Sequence, residues 1–423
     1  MKHQIIRDKG FFHDLEILSR EQRSAYYRDR LKELLDFAYE KSPALKKRMD
    51  GAGLSPGDIK NIDDWPRIPV LPKKDLVRLQ TQGPDLGGLL TCSPGDLRHI
   101  YMSPGPIVDP EARNRDYWGF AEAFYAAGFR RSDIVQMTFS YHFTPAGLMM
   151  EEPLHEIGCS VFPAGPGNTE GQIEAMTRLG VSGFVGMASF LKIIADKAEN
   201  KGLDLKNDFR LKVAFVAAER LTQALRSELE ERLGMRVRQG YGTADLGCIA
   251  YECPENCGMH LSSRCYVEIC DPQTRKPLPA GEVGEVVVTP FNPAYPLIRL
   301  ATGDLSVLHE EECLCGRTAP RLAGILGRVD DTIKVKGQFV YPGQVAEALK
   351  DFSEIRSWKL TAANPGGRDR LTLFILAPVD MDTLPVSRAF QEKIKLRAEV
   401  VISSNDKEFP EAGPGIIDQR TWD

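Results

Sequence analysis

Between about residues 115 and 240, short apolar runs alternate with stretches of helical spacing: DIVQMTF, CSVFPAG, VSGFVGM, LKVAFVAAE and MRVRQGYG. This alternation constrains the chain more than any other feature. Strands separated by helices predict an α/β domain built on a parallel sheet. Each run ends in small or polar residues, and ligands collect beyond the carboxyl ends of such strands. Upstream, Tyr27, Leu31, Leu34, Leu35 and Ala38 have the three-and-four spacing of an amphipathic helix within residues 21–49. WPRIPVLPKKDL is punctuated by prolines and cannot be a regular element for long.

The character of the chain then changes twice. Residues 265–309 carry CYVEICD, EVGEVVVTP and LIRLATGDLSVL between Pro and Gly turns, which predicts an antiparallel meander or small barrel. After Gly327, IKVKGQFVYP reads as strand–turn–strand, GQVAEALKDF as a helix, and KLTAANPG with RLTLFILAP as a hairpin. SRAFQEKIKLRAEV reads as a closing helix. The expected architecture is a large N-terminal α/β domain (1–327) with layered sheets and a β-meander subdomain. A small α+β C-terminal domain (328–423) follows, with GRVDD at 327–331 as the linker.

A length of 423 residues suits two or three domains. The formal net charge of −5, with no basic run interleaved with aromatics, argues against a nucleic-acid partner. No apolar stretch is long enough to span a bilayer, and MKHQIIRDKGFFHD lacks the apolar core of a signal peptide. A cytoplasmic protein without a membrane partner is expected. Of nine cysteines, seven fall between Cys248 and Cys315, a clustering that points to metal before disulfide in a reducing compartment. Cys253, Cys257 and His260 in ECPENCGMH, with Cys313 and Cys315 in ECLCGRT, offer five candidates for a four-coordinate zinc.

Three segments carry a resemblance: RQGYGTADLG (238–247), RLATGDLSVL (299–308) and GRVDDTIKVKGQFVYPGQVAEAL (327–349). Their order and spacing resemble those of adenylate-forming enzymes, the acyl- and aryl-coenzyme A synthetases. WPRIPVLPKKDL and CGRTAPRL resemble the phenylacetate–coenzyme A ligase branch. The resemblance runs over nearly the whole chain. It implies ATP-dependent activation of an aromatic or other organic carboxylate to an acyl-adenylate, then thioester formation with coenzyme A. ATP or AMP, Mg²⁺, coenzyme A and a structural Zn²⁺ are the implied cofactors. A homodimer is the prior for oligomeric state.

The resemblance also implies roles for individual residues. Tyr241 would stack on adenine, with Gly242 and Thr243 beside it and Ala217, Ala218 and Glu219 lining the base. Asp304 would take the ribose hydroxyls, a strong bidentate arrangement, and Arg328 would lie near ribose and phosphate. Asp245 stands where the family has a Glu holding Mg²⁺, and Asp330 where it has a hinge about which the small domain rotates. Cys253, His260, Cys313 and Cys315 would be the zinc ligands, with Cys257 the alternative. The competing readings are a core tyrosine for Tyr241 and a turn residue for Asp304. Phe139, Tyr141 and Phe143 alternate as on a strand and, with His142, would wall an aromatic acyl pocket, with plain core packing an equal competitor.

The pattern breaks in three further places. The family's phosphate loop, rich in Ser, Thr and Gly with a lysine, falls at YMSPGPIVDPE, where only Ser103 and Gly105 remain of it. Ala244 replaces a usual hydroxyl residue. The C-terminal Gly-Lys that serves the carboxylate and α-phosphate is absent, with no lysine after Lys407. The alternative function is therefore a paralogue that binds nucleotide, acyl-adenylate or acyl-coenzyme A without adenylating.

Overall fold

The protein is described here by a computed structural model covering residues 7–103, 107–335, 338–365, 369–405, 409 and 415–420. The helical spacing over 21–49 resolves into two helices, Arg20–Lys41 and Pro43–Asp50. The break follows from chemistry at the junction, where Ser42 caps the second helix and Pro43 has no N–H to continue the first. The apolar stripe of the first helix packs on Trp65, Ile68, Phe291 and Ile298. It thereby ties the N-terminal segment to the antiparallel part of the fold.

A two-residue strand, β1 (Leu71–Pro72), follows the proline-rich entry. Next come β2 (His99–Ser103) and β3 (Ile107–Glu111), an isolated antiparallel hairpin in which Ser103 pairs with Ile107. Strands β4 (Ile134–Met137), β5 (Ser160–Pro163), β6 (Gly183–Gly186), β7 (Val213–Val216) and β8 (Arg236–Thr243) then lie in the order 5-4-6-7-8. All their pairings are parallel, as the alternating pattern predicts. Phe120, Phe124 and Phe215 make edge-to-face contacts at the centre of one face of this sheet.

The expected meander is present but is not a separate body. Strand β8 pairs antiparallel with β9 (Gly247–Glu252), and from there the sheet continues through β10 (Met259–Leu261), β14 (Arg321–Leu322), β13 (Leu300–His309), β12 (Val283–Pro290) and β11 (Cys265–Cys270). Strands β1 and β15 (Gly327–Arg328) both add to β13. Strand β8 is thus the turning point between a parallel and an antiparallel half. The length of β8 allows this, because its first residues pair with β7 and its last with β9.

Residues beyond 332 build their own small core. Strands β16 (Ile333–Val335) and β17 (Gln338–Val340) form a hairpin, and helix Pro342–Leu349 follows. A four-stranded sheet contains β18 (Ser357–Ala363), β19 (Arg370–Leu376), β20 (Ala398–Ser403) and β21 (Gly415–Asp418) in the order 20-19-18-21. The predicted closing helix is shorter than expected, spanning Thr383–Ile394. Lys395 takes the left-handed conformation at φ 62° and ends it, so that AEVVIS emerges as β20. No described helix is long and apolar enough to cross a membrane.

Candidate active site

The carboxyl ends of β7 and β8 face a cavity of about 650 Å³. Seven of the residues singled out from the sequence line it: Ala218, Glu219, Tyr241, Gly242, Thr243, Asp304 and Arg328. Ala217 is buried behind them. The GYG motif has a steric origin. A Cβ on Gly242 would stand 2.4 Å from the Gly247 carbonyl oxygen and 2.9 Å from the Phe120 ring, so only glycine lets β8 and β9 close here. Ala218 adopts φ 69°, a strained conformation for a residue with a Cβ and one that concentrates at functional turns.

Two predicted residues converge on the carboxylate of a third. Tyr241 donates its hydroxyl to Asp304 Oδ2 at 2.8 Å, and Arg328 Nη1 donates to Asp304 Oδ1 at 2.7 Å. The second contact follows from register, since Asp304 and Arg328 are direct partners across β13 and β15. Burial, reinforced by the Asp304 carboxylate, pushes the Tyr241 phenol well above its usual range. Glu219 is engaged elsewhere. Its carboxylate accepts from the Ser189 backbone N–H at 2.6 Å and hydroxyl at 2.8 Å, and so caps helix Ala188–Asn200.

A second cluster adjoins the first and contains two residues that the sequence did not single out. Asp245, whose side chain is 1% exposed, accepts from Lys73 Nζ at 3.0 Å, and its other oxygen has no partner. In the β2–β3 hairpin Ser103 donates to Asp109 Oδ2, while Asp109 Oδ1 is buried and unpartnered. Burial is the main reason that the Asp109 carboxyl is pushed up to about 6; the Ser103 hydroxyl and Lys73 pull against it, and Asp245 adds to it. The sequence signal for Lys73 was KKDL after a proline-rich strand, and for Asp109 the acid in the degenerate loop itself. Gly105 lies outside the described residues, as does Lys407. Asp330 is exposed, in a turn held by Val329 N–H to Gly303 O at 2.8 Å and Thr332 N–H to Val329 O at 3.1 Å.

The aromatic run 139–143 is not a strand. Strand β4 ends at Met137, and hydrogen bonds from Gly147 N–H to Ser140 O and from Thr144 N–H to His142 O fold the segment into a compact turn. Phe139 and Tyr141 pack against the core beneath the parallel sheet, and Tyr141 donates to Glu151. His142 is exposed, and Phe143 is 82% exposed at φ 61°. None of the four lines the cavity that holds Tyr241 and Asp304.

On the antiparallel half, the ligand atoms of Cys253, His260, Cys313 and Cys315 lie within 4.8 Å of one another. Cys253 follows β9, His260 sits on the adjacent β10, and the two other cysteines occupy the loop between β13 and β14. His260 Nδ1 donates to the Ala319 carbonyl at 3.0 Å, which aims Nε2 at Cys315 Sγ, 3.4 Å away. A tetrahedral Zn–S site has sulfurs about 3.8 Å apart, and Cys253 and Cys313 sulfurs are separated by 3.7 Å. The donor set fits zinc. Cys257 is not one of these four; its sulfur lies 3.5 Å from Cys313 Sγ and accepts from Arg321 Nη1 at 2.7 Å.

Known proteins resemble this chain in sequence and fold. A family model described as AMP-binding enzyme matches residues 114–291. The phenylacetate–coenzyme A ligase of Thermus thermophilus is 31% identical over 354 residues, 81% of this chain and 78% of that protein. The Escherichia coli phenylacetate–coenzyme A ligase is 28% identical, over 85% and 83% of the two chains. Among solved structures, an open conformation of 2-hydroxyisobutyryl-CoA ligase, in complex with 2-HIB-AMP and CoA, superposes with a TM-score of 0.86. It is 23% identical and covers 96% of this chain and 93% of its own. Similarity of this extent, together with a turning strand that carries Tyr241 toward Asp304, shows that the chain belongs to the phenylacetate–coenzyme A ligase family of AMP-binding enzymes.

Proposed function

We propose that the protein is an acid–thiol ligase that activates a carboxylate with ATP to an acyl-adenylate and passes the acyl group to coenzyme A. The observation that carries this reading is the convergence of Tyr241, Asp304 and Arg328 in one cavity at the turning strand. Asp304 accepts the ribose hydroxyls with the two oxygens that now hold Tyr241 and Arg328. Tyr241 offers its ring to adenine, with Gly242, Thr243 and the backbone of Ala217–Glu219 around the base. Asp245 would hold Mg²⁺, which neutralises phosphate charge when bound; the orphaned, buried second oxygen of Asp245 supports that assignment. The turn at 328–331 serves as a hinge on which the C-terminal residues 328–423 move between adenylation and thioester formation. Cys253, His260, Cys313 and Cys315 hold a structural zinc that staples two loops of the antiparallel half.

Phenylacetate is the first acid to test, because the relatives 28–31% identical bear that name. Exchange of labelled pyrophosphate into ATP, across aromatic and short aliphatic acids with coenzyme A omitted, reads the first step directly. Acid-stimulated exchange is expected. Silence across the panel with ATP binding intact would sink the reading.

One observation favours a second reading. Asp109 places a buried carboxylate in the hairpin where the family's phosphate loop falls, and an anion there opposes a triphosphate. Under that reading the protein binds nucleotide or acyl-adenylate without making it.

A further inference from the structure

The β2–β3 hairpin carries no lysine, yet two anions must meet during adenylation. We infer that Lys73 provides this positive charge, binding the phosphates of the nucleotide from the N-terminal side of the site. The inference rests on the ligase reading for its chemistry, but its binding test does not.

The position of Lys73 is set by strand pairing. Strand β1 runs parallel to β13, with Leu71 opposite Leu300 and Pro72 opposite Ala301. Lys73 therefore leaves β1 alongside Thr302, two residues before Asp304. Its ammonium reaches Asp245 Oδ1 at 3.0 Å, just beyond the Tyr241–Thr243 segment of β8. One ammonium thus stands at the meeting of three elements: the strand that carries Asp304, the loop after β8, and the β2–β3 hairpin with Ser103 and Asp109.

The charge balance of the cluster shows why the lysine is available. Asp245 and Asp109 each keep one buried oxygen without a partner, so two carboxyls share one ammonium. The Lys73 side chain is 27% exposed, against 1% for Asp245. The lysine is thus partly open to solvent while the acid stays buried. Lysine is a point charge on a flexible stem and can change partners without repacking. Asp245 stores Lys73 in the ligand-free protein, and the arriving nucleotide draws the ammonium onto its phosphates. Because the lysine comes from the N-terminal part of the chain, its contact does not depend on how the residues after 328 are placed.

Three proteins test this: wild type, Lys73→Ala and Lys73→Arg, each titrated with Mg·ATP and with adenosine, and assayed for pyrophosphate exchange with phenylacetate. Lys73→Ala is expected to weaken ATP at least about tenfold and adenosine less than about twofold. It should lower exchange by about 10²–10³, the scale for losing one preorganised charge contact. Lys73→Arg should recover at least about tenfold of that loss, with a melting temperature close to wild type. Equal weakening of ATP and adenosine, or no weakening of either, overturns the inference. If wild type binds ATP but shows no exchange, the ligase reading fails while the contrast between ATP and adenosine still decides the role of Lys73. Failure of wild type to bind either ligand overturns both.

Discussion

Tyr241 and Asp304, 63 residues apart, are joined by a hydrogen bond of 2.8 Å, and Arg328 closes the other side of the same carboxylate at 2.7 Å. The pair links the turning strand β8 to β13, so Tyr241, Asp304 and Arg328 form one unit. Asp304→Ala should therefore lower kcat/KM for ATP by about 10², since it removes a charge-assisted bidentate acceptor and releases Arg328. Tyr241→Phe keeps the ring and should cost no more than about tenfold. Steady-state kinetics of both variants check the order, and equal losses would show that the hydroxyl rather than the carboxylate matters.

The Cys/His cluster predicts about one zinc per chain. Cys313→Ser should leave well under one zinc and lower the melting temperature, because the loops after β9 and between β13 and β14 lose their staple. Cys257→Ser should keep the metal, as Cys257 lies outside the four-residue set. Elemental analysis of the three proteins decides this. Zinc lost in Cys257→Ser but retained in Cys313→Ser would reverse the assignment.

Asp109 sets a pH dependence. Its carboxyl is raised to about 6, mainly by burial, above the value of about 3.9 expected in an unfolded chain. The folded state therefore holds the proton more tightly. Its contribution to stability is complete below about pH 4 and lost as pH rises through about 6. Asp116 is raised to about 6 for the same reason and shares the window. Asp109→Asn should remove part of the slope of stability between pH 4 and 6, with Asp116 and the burial-raised carboxyls of Glu122, Glu268 and Glu285 contributing to the remainder. Urea unfolding at pH 4, 5, 6 and 7 measures it; an unchanged slope would place the Asp109 proton elsewhere.

Behind β8 and β9, Glu252 accepts from both Arg226 nitrogens at 2.9 and 2.7 Å and from the Gln239 backbone and side chain at 2.9 Å each. Every strong acceptor direction is used in a buried setting. Arg226→Met leaves that carboxylate without its counter-ion and should cost about 3–5 kcal/mol. Replacing both residues by apolar ones should cost much less. Denaturant midpoints for the single and double variants test the difference, and equal losses would mean that packing rather than the ion pair is responsible.

The parallel sheet was legible in the sequence because each strand is a local apolar run and each crossover a local helical pattern. Helix Arg20–Lys41 was legible for the same reason, through the spacing of Tyr27, Leu31, Leu34, Leu35 and Ala38. Its stop at Ser42–Pro43 depends on one capping bond that periodicity does not report. The run at 139–143 looked like a strand by alternation, but Phe143 at φ 61° and the bonds closing on Ser140 and His142 make it a turn. Lys395 ended the last helix early through a left-handed conformation that a lysine does not advertise.

The sequence by itself determined the family and pointed to residues in short motifs that the fold brings together: Tyr241 in GYG, Asp304 in TGD and Arg328 in GRVDD, with a Cys and His cluster on the antiparallel half. Such motifs survive as strings because a tight turn or a close strand approach permits few residue types. Only the tertiary structure decided that Lys73 lies on Asp245, 172 positions away, and that Asp109 is buried beside Ser103. Those contacts come from the parallel pairing of β1 with β13 and from the docking of a hairpin. Both are long-range events, and their energy depends on burial and on partners that no local stretch of sequence contains.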